Sequence, residues 1–450
     1  MRKVLPIFLT VLMYTCLLVF SASGQEYQDF LSDWFEIFPG LSDPTNTGLT
    51  VFPVLEISPG GERSNLGNAY TAVSRDISFF ESNPAASALL ERTELAFLHR
   101  NLISDVSMDS VMYSQRFGRR DRMGLGFAGK FLHFEFTSVD GRGNQLASAN
   151  PTEMLIAGNF SGVLGNNLFA WSGLALGINI KLAYRNIPFR LYDLDYINLP
   201  EYSQNLFGYM ADVGLLTRFN LLKGYSGRDK NFSVGLAGKN LGPPVKGEAL
   251  PSELSLGIAY RPLRPVMISA DINYLMNFAE FSKSEGLGFA TGLDVRFVNF
   301  FSLQTGFELR GSNPRFSLGA DIELEPVSFI VSYTLDLTTA SNRLDNFSVT
   351  AKLDFGDQGR QELRAQVDEL YIQALIALSN NEYERVIELC DRILDEQDGL
   401  DPYFTPARQT RVLALVSLQT EQDFASFSET TEGLATDQEP TGEPETEAQD

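Results

Sequence analysis

His133 and Glu135 stand two residues apart in a chain with only two histidines, the other being His99. In an extended strand that spacing puts both side chains on one face. The chemistry they could serve is acyl hydrolysis of a lipid. It would need a serine activated by the histidine and a third polar group holding the ring. Phe134 and Phe136 flank the pair and no serine lies beside it in the strand. The sequence therefore assigns no catalytic residue and the chain reads as a non-enzyme. The cysteines are Cys16 and Cys390, and no Cys/His spacing suits a metal. No metal or cofactor is expected. Gly124-Leu125-Gly126 has no helix after it, so it is not a nucleotide loop.

The other chemistry on offer is anion recognition. Lys181, Arg185, Arg261, Arg296, Arg310 and Lys352 share the polar faces of alternating segments with Asp271, Asp294, Glu308, Asp321, Glu323 and Asp354. One reading is a mutually neutralising network. The other is that Lys181, Arg185, Arg261, Arg296 or Arg310 contacts an anionic headgroup, since arginine offers bidentate geometry to a carboxylate. The overall formal charge is −22, which excludes nucleic acid as a partner.

From Thr93 to Phe355 the pattern that carries these residues has period two. Phe301, Leu303, Thr305, Phe307 and Leu309 alternate with Ser302, Gln304, Gly306, Glu308 and Arg310. Leu174 to Arg185, Phe316 to Leu324 and Phe347 to Phe355 repeat it. Segments of about ten residues, apolar on one face and polar on the other, fit a membrane β-barrel. A soluble sandwich alternates too, with shorter strands and a second sheet on its apolar face. About fourteen segments can be drawn, starting near Thr93, Ser107, Arg122, Thr152, Ala170, Phe207, Asn231, Ser252, Pro265, Gly286, Phe300, Arg315, Pro326 and Asn346. Val298-Asn299 and Ser312-Asn313-Pro314 read as periplasmic turns. Thr137–Pro151, Ile187–Leu206 and Met276–Glu285 read as longer extracellular loops.

Residues 1–24 have the form of a secretory signal: Arg2 and Lys3, an apolar run from Val4 to Phe20, then Ala22-Ser23-Gly24. No later run is apolar for long enough to make a transmembrane helix. Residues 25–92 precede the first strand. Within them Leu66-Gly67-Asn68-Ala69-Tyr70, Arg75-Asp76 and Asn83-Pro84-Ala85 are too irregular for a strand.

This stretch resembles the N-terminal plug of the FadL-type outer-membrane long-chain fatty-acid transporter family. The chain is most similar to that family's uncharacterised spirochaete outer-membrane branch. The resemblance runs from about Gly61 to Phe355 and is specific in the plug. It implies an all-β transmembrane barrel of about fourteen antiparallel strands, residues 93–356, in the outer membrane. The plug motif would be Leu66, Gly67, Ala69, Tyr70, Asn83, Pro84 and Ala85. The implied function is passive uptake of long-chain fatty acids or similar hydrophobic molecules. Outer-membrane lipids, a hydrophobic small molecule and the barrel-assembly machinery are the implied partners.

Residues 357–425 depart from that family. Gln361–Ser379, Glu382–Glu396 and Pro406–Leu418 have helical periodicity, and Ala374, Asn380 to Tyr383, Ile387 and Leu394 resemble a tetratricopeptide repeat. This small α-helical extension would be periplasmic and is a candidate docking site for a periplasmic protein. The alternative function is accordingly a structural barrel that recruits a partner through these helices. Residues 426–450 are acidic with no basic residue and are expected to be disordered.

Overall fold

A computed structural model describes residues 50–102, 106–117, 122–139, 141–165, 171–187, 189–191, 204–225, 229–311, 313–337, 345–357, 359–396 and 404–436. The expected signal, most of the Ile187–Leu206 loop and residues 437–450 lie outside the described residues. The chain divides into two units, residues 1–358 and 359–450, apart from 166–168.

The strands are β1 (Glu94–Asn101), β2 (Ser107–Phe117), β3 (Met123–His133), β4 (Phe136–Val139), β5 (Gln145–Ala149), β6 (Thr152–Leu164), β7 (Trp171–Ile187), β8 (Phe189–Leu191), β9 (Gln204–Phe219), β10 (Phe232–Leu241), β11 (Ser252–Leu263), β12 (Val266–Met276), β13 (Gly286–Val298), β14 (Phe301–Arg310), β15 (Asn313–Leu324), β16 (Val327–Asp336) and β17 (Asn346–Asp354). Fourteen of them form a closed antiparallel barrel, β1-β2-β3-β6-β7-β9-β10-β11-β12-β13-β14-β15-β16-β17, and β17 pairs back to β1. Closure is in register, with Glu94 opposite Asp354 and Phe97 opposite Ala351. The expected strand starts fall within three residues of the observed ones.

The two faces are arranged as lipid requires. Phe97, Phe127, Ile156, Ile180, Phe207 and Ile272 are 48–62% exposed on the outside. Asn159, Asn179, Asp212, Asp271, Ser302 and Gln304 are at most 3% exposed on the inside. A water-soluble sheet would bury the first set and expose the second. A closed sheet also leaves no unpaired edge for hydrocarbon to meet.

Strand parity corrects one expectation. The 299–300 turn joins β13 to β14, and the 311–312 turn joins β14 to β15. One strand separates them, so they lie at opposite ends of the barrel and cannot both be periplasmic. The 311–312 turn shares its end with the three long connections, after β3, β7 and β12. The 299–300, 264–265 and 325–326 turns share the other end with the start of β1 and the finish of β17. The 137–151 connection carries structure of its own. It holds most of β4 and all of β5, and β5 pairs with both β4 and β8 in a small separate sheet.

Residues 50–90 lie inside the barrel. They form one short helix, α1 (Gly61–Asn65), and 3-10 turns at Pro53–Leu55, Ile77–Glu81 and Pro84–Leu89. The short elements start where sequence chemistry allows. Asp76 accepts from the Ser78 N–H at 2.9 Å and caps one turn. Asn83 accepts from the Ala85 N–H at 3.1 Å, with Pro84 at the first position of the next turn.

The second unit holds α2 (Arg360–Ser379), α3 (Tyr383–Glu396) and α4 (Phe404–Thr436). Its core is Val367, Leu370, Ala374, Ala377, Val386, Leu389, Cys390, Ile393, Ala407 and Ala414. The α2 helix ends as its residues dictate. Asn381 takes a left-handed backbone, φ 61°, and the Glu382 N–H reaches the Ala377 carbonyl at 2.9 Å. The α4 helix runs to Thr436, past residue 425, where the acidic tail was expected to begin.

Candidate functional site

The inner segment meets the wall on all sides, and Asn83 is its tightest joint. Beyond its capping bond it donates to the Thr71 carbonyl at 3.0 Å and to the Leu215 carbonyl of β9 at 2.9 Å. The Pro84 carbonyl accepts from Asn159 of β6 at 2.9 Å. Ala85 is fully buried in an apolar cluster with Phe79, Phe80, Met112, Ala157 and Leu216.

Glycines on the polar strand faces make this approach feasible. A Cβ at Gly177 would lie 2.2 Å from the Pro84 carbonyl oxygen. One at Gly306 would lie 2.0 Å from the Gly67 nitrogen, and Gly67 itself has φ +58°. Leu66, Ala69 and Tyr70 are fully buried. The Tyr70 and Thr71 N–H groups both donate to Asp271 of β12, at 3.0 and 2.8 Å.

Charge ties the segment down as well. Tyr70 Oη lies 2.7 Å from Glu62 and 2.7 Å from Asp76. Arg75 pairs with Glu62 and reaches Asp294 of β13 at 2.6 Å. Lys352 of β17 bridges to Asp76 at 3.1 Å, and Lys130 of β3 to Glu81 at 2.6 Å. Burial pushes the Glu62 carboxyl up, against the pull of Arg75. Burial acts on Asp76 too, but Lys352 and the Tyr70 hydroxyl outweigh it and hold that carboxyl below its ordinary value. Glu81 is likewise held low, with Lys130 and Lys181 outweighing its burial.

The five cations singled out in the sequence do not converge. Lys181 is buried and pairs with Asp212 at 2.7 Å. Arg185 pairs with Glu153 at 2.6 Å and lies over the Phe52 ring, 5.5 Å from its centre. Arg310 reaches Glu285 at 2.7 Å and Glu56 at 2.9 Å. Arg296 pairs with Glu323 at 3.2 Å near the short-turn end. Arg261 has a Met267 sulfur at 4.0 Å and makes no ion pair among the described residues. Of the acids that match these cations only Glu323 was singled out in the sequence, and Asp212, Glu153, Glu285 and Glu56 were invisible to it. Parity shows which face a residue takes, while its partner on another strand depends on register.

At the long-loop end the lumen turns apolar. Val51, Phe52, Val54 and Leu55 fill a pocket made by Met108, Leu132, Leu155, Ala183, Leu206, Met210 and Leu250. Phe52 sits there with a left-handed backbone, φ 62°. The Val54 N–H donates to Glu153 at 2.9 Å.

His133 does find a serine, on the neighbouring strand. Ser107 Oγ and His133 Nε2 are 3.0 Å apart across β2 and β3. The other ring nitrogen, Nδ1, is buried with no hydrogen-bond partner among the described residues. The group that would hold the ring for acyl transfer is therefore missing from this pair.

Two relatives from Treponema pallidum (strain Nichols), each described as a UPF0164 protein, align with the chain. One is 25% identical over 375 residues, covering 80% of this chain and 83% of the relative. The other is 31% identical over 193 residues, covering 42% and 52%. Among solved structures, the Ralstonia pickettii toluene transporter TbuX is similar at TM-score 0.45 and 11% identity, covering 68% of this chain and 99% of that one. A Pseudomonas aeruginosa FadL homologue is similar at TM-score 0.39 and 12% identity, covering 65% and 98%. A family profile described as "Uncharacterised protein family (UPF0164)" matches residues 41–358, and the chain belongs to that family.

Proposed function

We propose that this barrel sits in the outer membrane and lets hydrophobic small molecules pass inward, with residues 50–92 as its plug. One observation carries the reading. Among the polar groups of the lumen, the long-loop end holds an inward-facing apolar pocket, in addition to the apolar cluster around Ala85. An aqueous pore has no use for such a pocket, whereas a hydrophobic cargo needs one to leave water. The plug's own Val51, Phe52, Val54 and Leu55 occupy it. Cargo would displace them and then pass the joint at Asn83, Pro84 and Ala85. Long-chain fatty acids, or amphiphiles of similar size, are the proposed cargo. The long-loop end would face outward and the short-turn end the periplasm.

The test is extraction of lipids from the purified protein, followed by mass spectrometry, with Pro84→Gly in parallel. Pro84 fixes its own φ at the first position of a turn, so glycine there loosens the joint. Enrichment of long-chain fatty acids in the wild type, altered in the variant, is the expected outcome. Absence of any enriched hydrophobic molecule would overturn the uptake reading.

The second reading is docking through the helical unit. Ile372, Leu375 and Ile376 of α2 are 43–57% exposed, and Val412, Leu413 and Val416 of α4 are 53–57% exposed. Each set is spaced as one helical stripe. If α2–α4 form a tetratricopeptide-like module in the periplasm, these stripes are its free apolar faces. Deleting residues 359–450 leaves uptake intact under the first reading and abolishes the protein's role under the second.

A further inference from the structure

Five cations of the barrel unit are buried among the described residues: Arg63, Arg100, Lys130, Lys181 and Lys239. The three lysines each have an acid at hand: Glu81 at 2.6 Å, Asp212 at 2.7 Å and Glu253 at 2.7 Å. The two arginines do not. Arg63, on α1, is 9% exposed and its Nε has no hydrogen-bond partner among the described residues. Arg100, on β1, is 7% exposed and its Nε is likewise unpartnered. Its other nitrogens donate only to neutral groups, the Ser58 carbonyl, Ser64 Oγ at 3.4 Å and Asn346 Oδ1. The bond to Ser64 places the Arg100 guanidinium against the residue that follows Arg63. Charge accumulates around the pair. Arg63 acts on Arg100, Lys130 and Lys239, and Arg315 also acts on Arg100. The acids in the same field are Glu81 and Glu253, committed to their lysines, and Glu308, which accepts from Asn68 at 2.8 Å. With Lys181 and its partner Asp212, six cations thus face four acids.

A buried guanidinium without a counter-ion is costly, and two in one field are more so. A chain of formal charge −22 has carboxylates in plenty, yet none forms an ion pair with either arginine among the described residues. We infer that Arg63 and Arg100 form an oxyanion site between the inner segment and the barrel wall, and that its ligand is a carboxylate or phosphate group. Arginine forks match the two oxygens of such a group. One arginine belongs to the segment and the other to β1, so the bound anion bridges them and locks the segment in place. The inference rests on the uptake reading only for the ligand's source: the head of an incoming amphiphile, or a free anion.

The test uses the full chain folded in a non-ionic detergent. Laurate, dodecyl phosphate, dodecanol and inorganic phosphate are titrated separately, with thermal unfolding and calorimetry as readouts. Laurate and dodecyl phosphate should bind at least tenfold more tightly than dodecanol. Arg63→Gln and Arg100→Gln should each remove that preference, Arg63→Lys should keep part of it, and Arg385→Gln in the helical unit should change nothing. If inorganic phosphate alone raises the unfolding temperature in an Arg63-dependent way, the site stands and a free anion is its source. If either Gln variant fails to fold, competition in the wild type decides: phosphate must displace laurate. Equal binding of laurate and dodecanol, with no competition by phosphate, overturns the site. Toluene uptake into proteoliposomes separates the two proposals. Uptake that persists without anion preference removes the site and leaves the channel.

Discussion

Asn83 makes three bonds from one side chain, one within the segment's own turn and two that join it to Thr71 and β9. Alanine at this position leaves the Leu215 and Thr71 carbonyls without this donor and the turn without its cap. Loss of a cap and of buried hydrogen bonds costs about 1–3 kcal/mol. The barrel sheet does not depend on Asn83, so the loss falls on the seating of the segment. Asn83→Ala is expected to give a folded barrel with a higher, noisier conductance in planar bilayers; a silent, wild-type trace would sink the seating role. Two glycines make a matched pair at the same scale. Gly177 faces the Pro84 backbone at 2.2 Å for an added Cβ, whereas Gly129 has nothing within 4 Å of one. Gly177→Ala is expected to lower the unfolding temperature or block assembly, since overpacking costs about 1–3 kcal/mol. Gly129→Ala should be neutral in the same melt.

At the scale of elements, the strands were legible and the inner segment was not. Period-two alternation in Phe301–Arg310 displays its faces directly, because lipid and lumen impose opposite chemistries on neighbouring residues. Residues 50–90 have no such period. Their conformation is set by what the wall offers, such as Asp271 for the Tyr70 N–H and Gln304 for Asn65. Those partners are about 200 residues or more away in sequence, and only the closed register brings them in. The acidic tail misled for a related reason. Composition favours disorder after residue 425, yet helix α4 continues to Thr436. In the helical unit, burial carries a chemical consequence. Cys390 is fully buried, and burial together with Asp391 pushes its thiol up to about 11. The thiolate is the nucleophile, so the group stays protonated at neutral pH. Cys390 should react with a maleimide at least tenfold more slowly in the native protein at pH 7.5 than after denaturation. Equal rates would show that α2 and α3 do not enclose it.

The whole barrel unit is built as two shells joined by charge. The outer shell is the sheet, whose outward face suits lipid. The inner shell is a segment that buries Phe52, Leu66, Tyr70, Phe79 and Phe80 against the wall and is also tied to it by Lys352–Asp76, Lys130–Glu81 and Arg75–Asp294. These ties titrate, whereas the sheet's backbone bonds do not. Asp76 and Glu81 are both held below their ordinary values of 3.8 and 4.5. A carboxyl depressed in the folded state contributes stability that is present above its unfolded value and lost as pH falls through its folded value. Glu62 is raised and works in the opposite sense; it shares Arg75 with Asp294, and its own tie to the wall is a hydrogen bond from Gln304 of β14 at 3.1 Å. The inner shell should therefore stay seated from pH 8 down to about pH 5 and loosen below about pH 4, while the sheet survives. Conductance in planar bilayers, read alongside the β-sheet circular dichroism signal, checks this. A rise in conductance below pH 4 with an unchanged sheet signal is the expected result, and Asp76→Asn should already show a raised conductance at pH 7. Simultaneous loss of both signals would mean that the two shells unfold as one and that the segment is no separate plug.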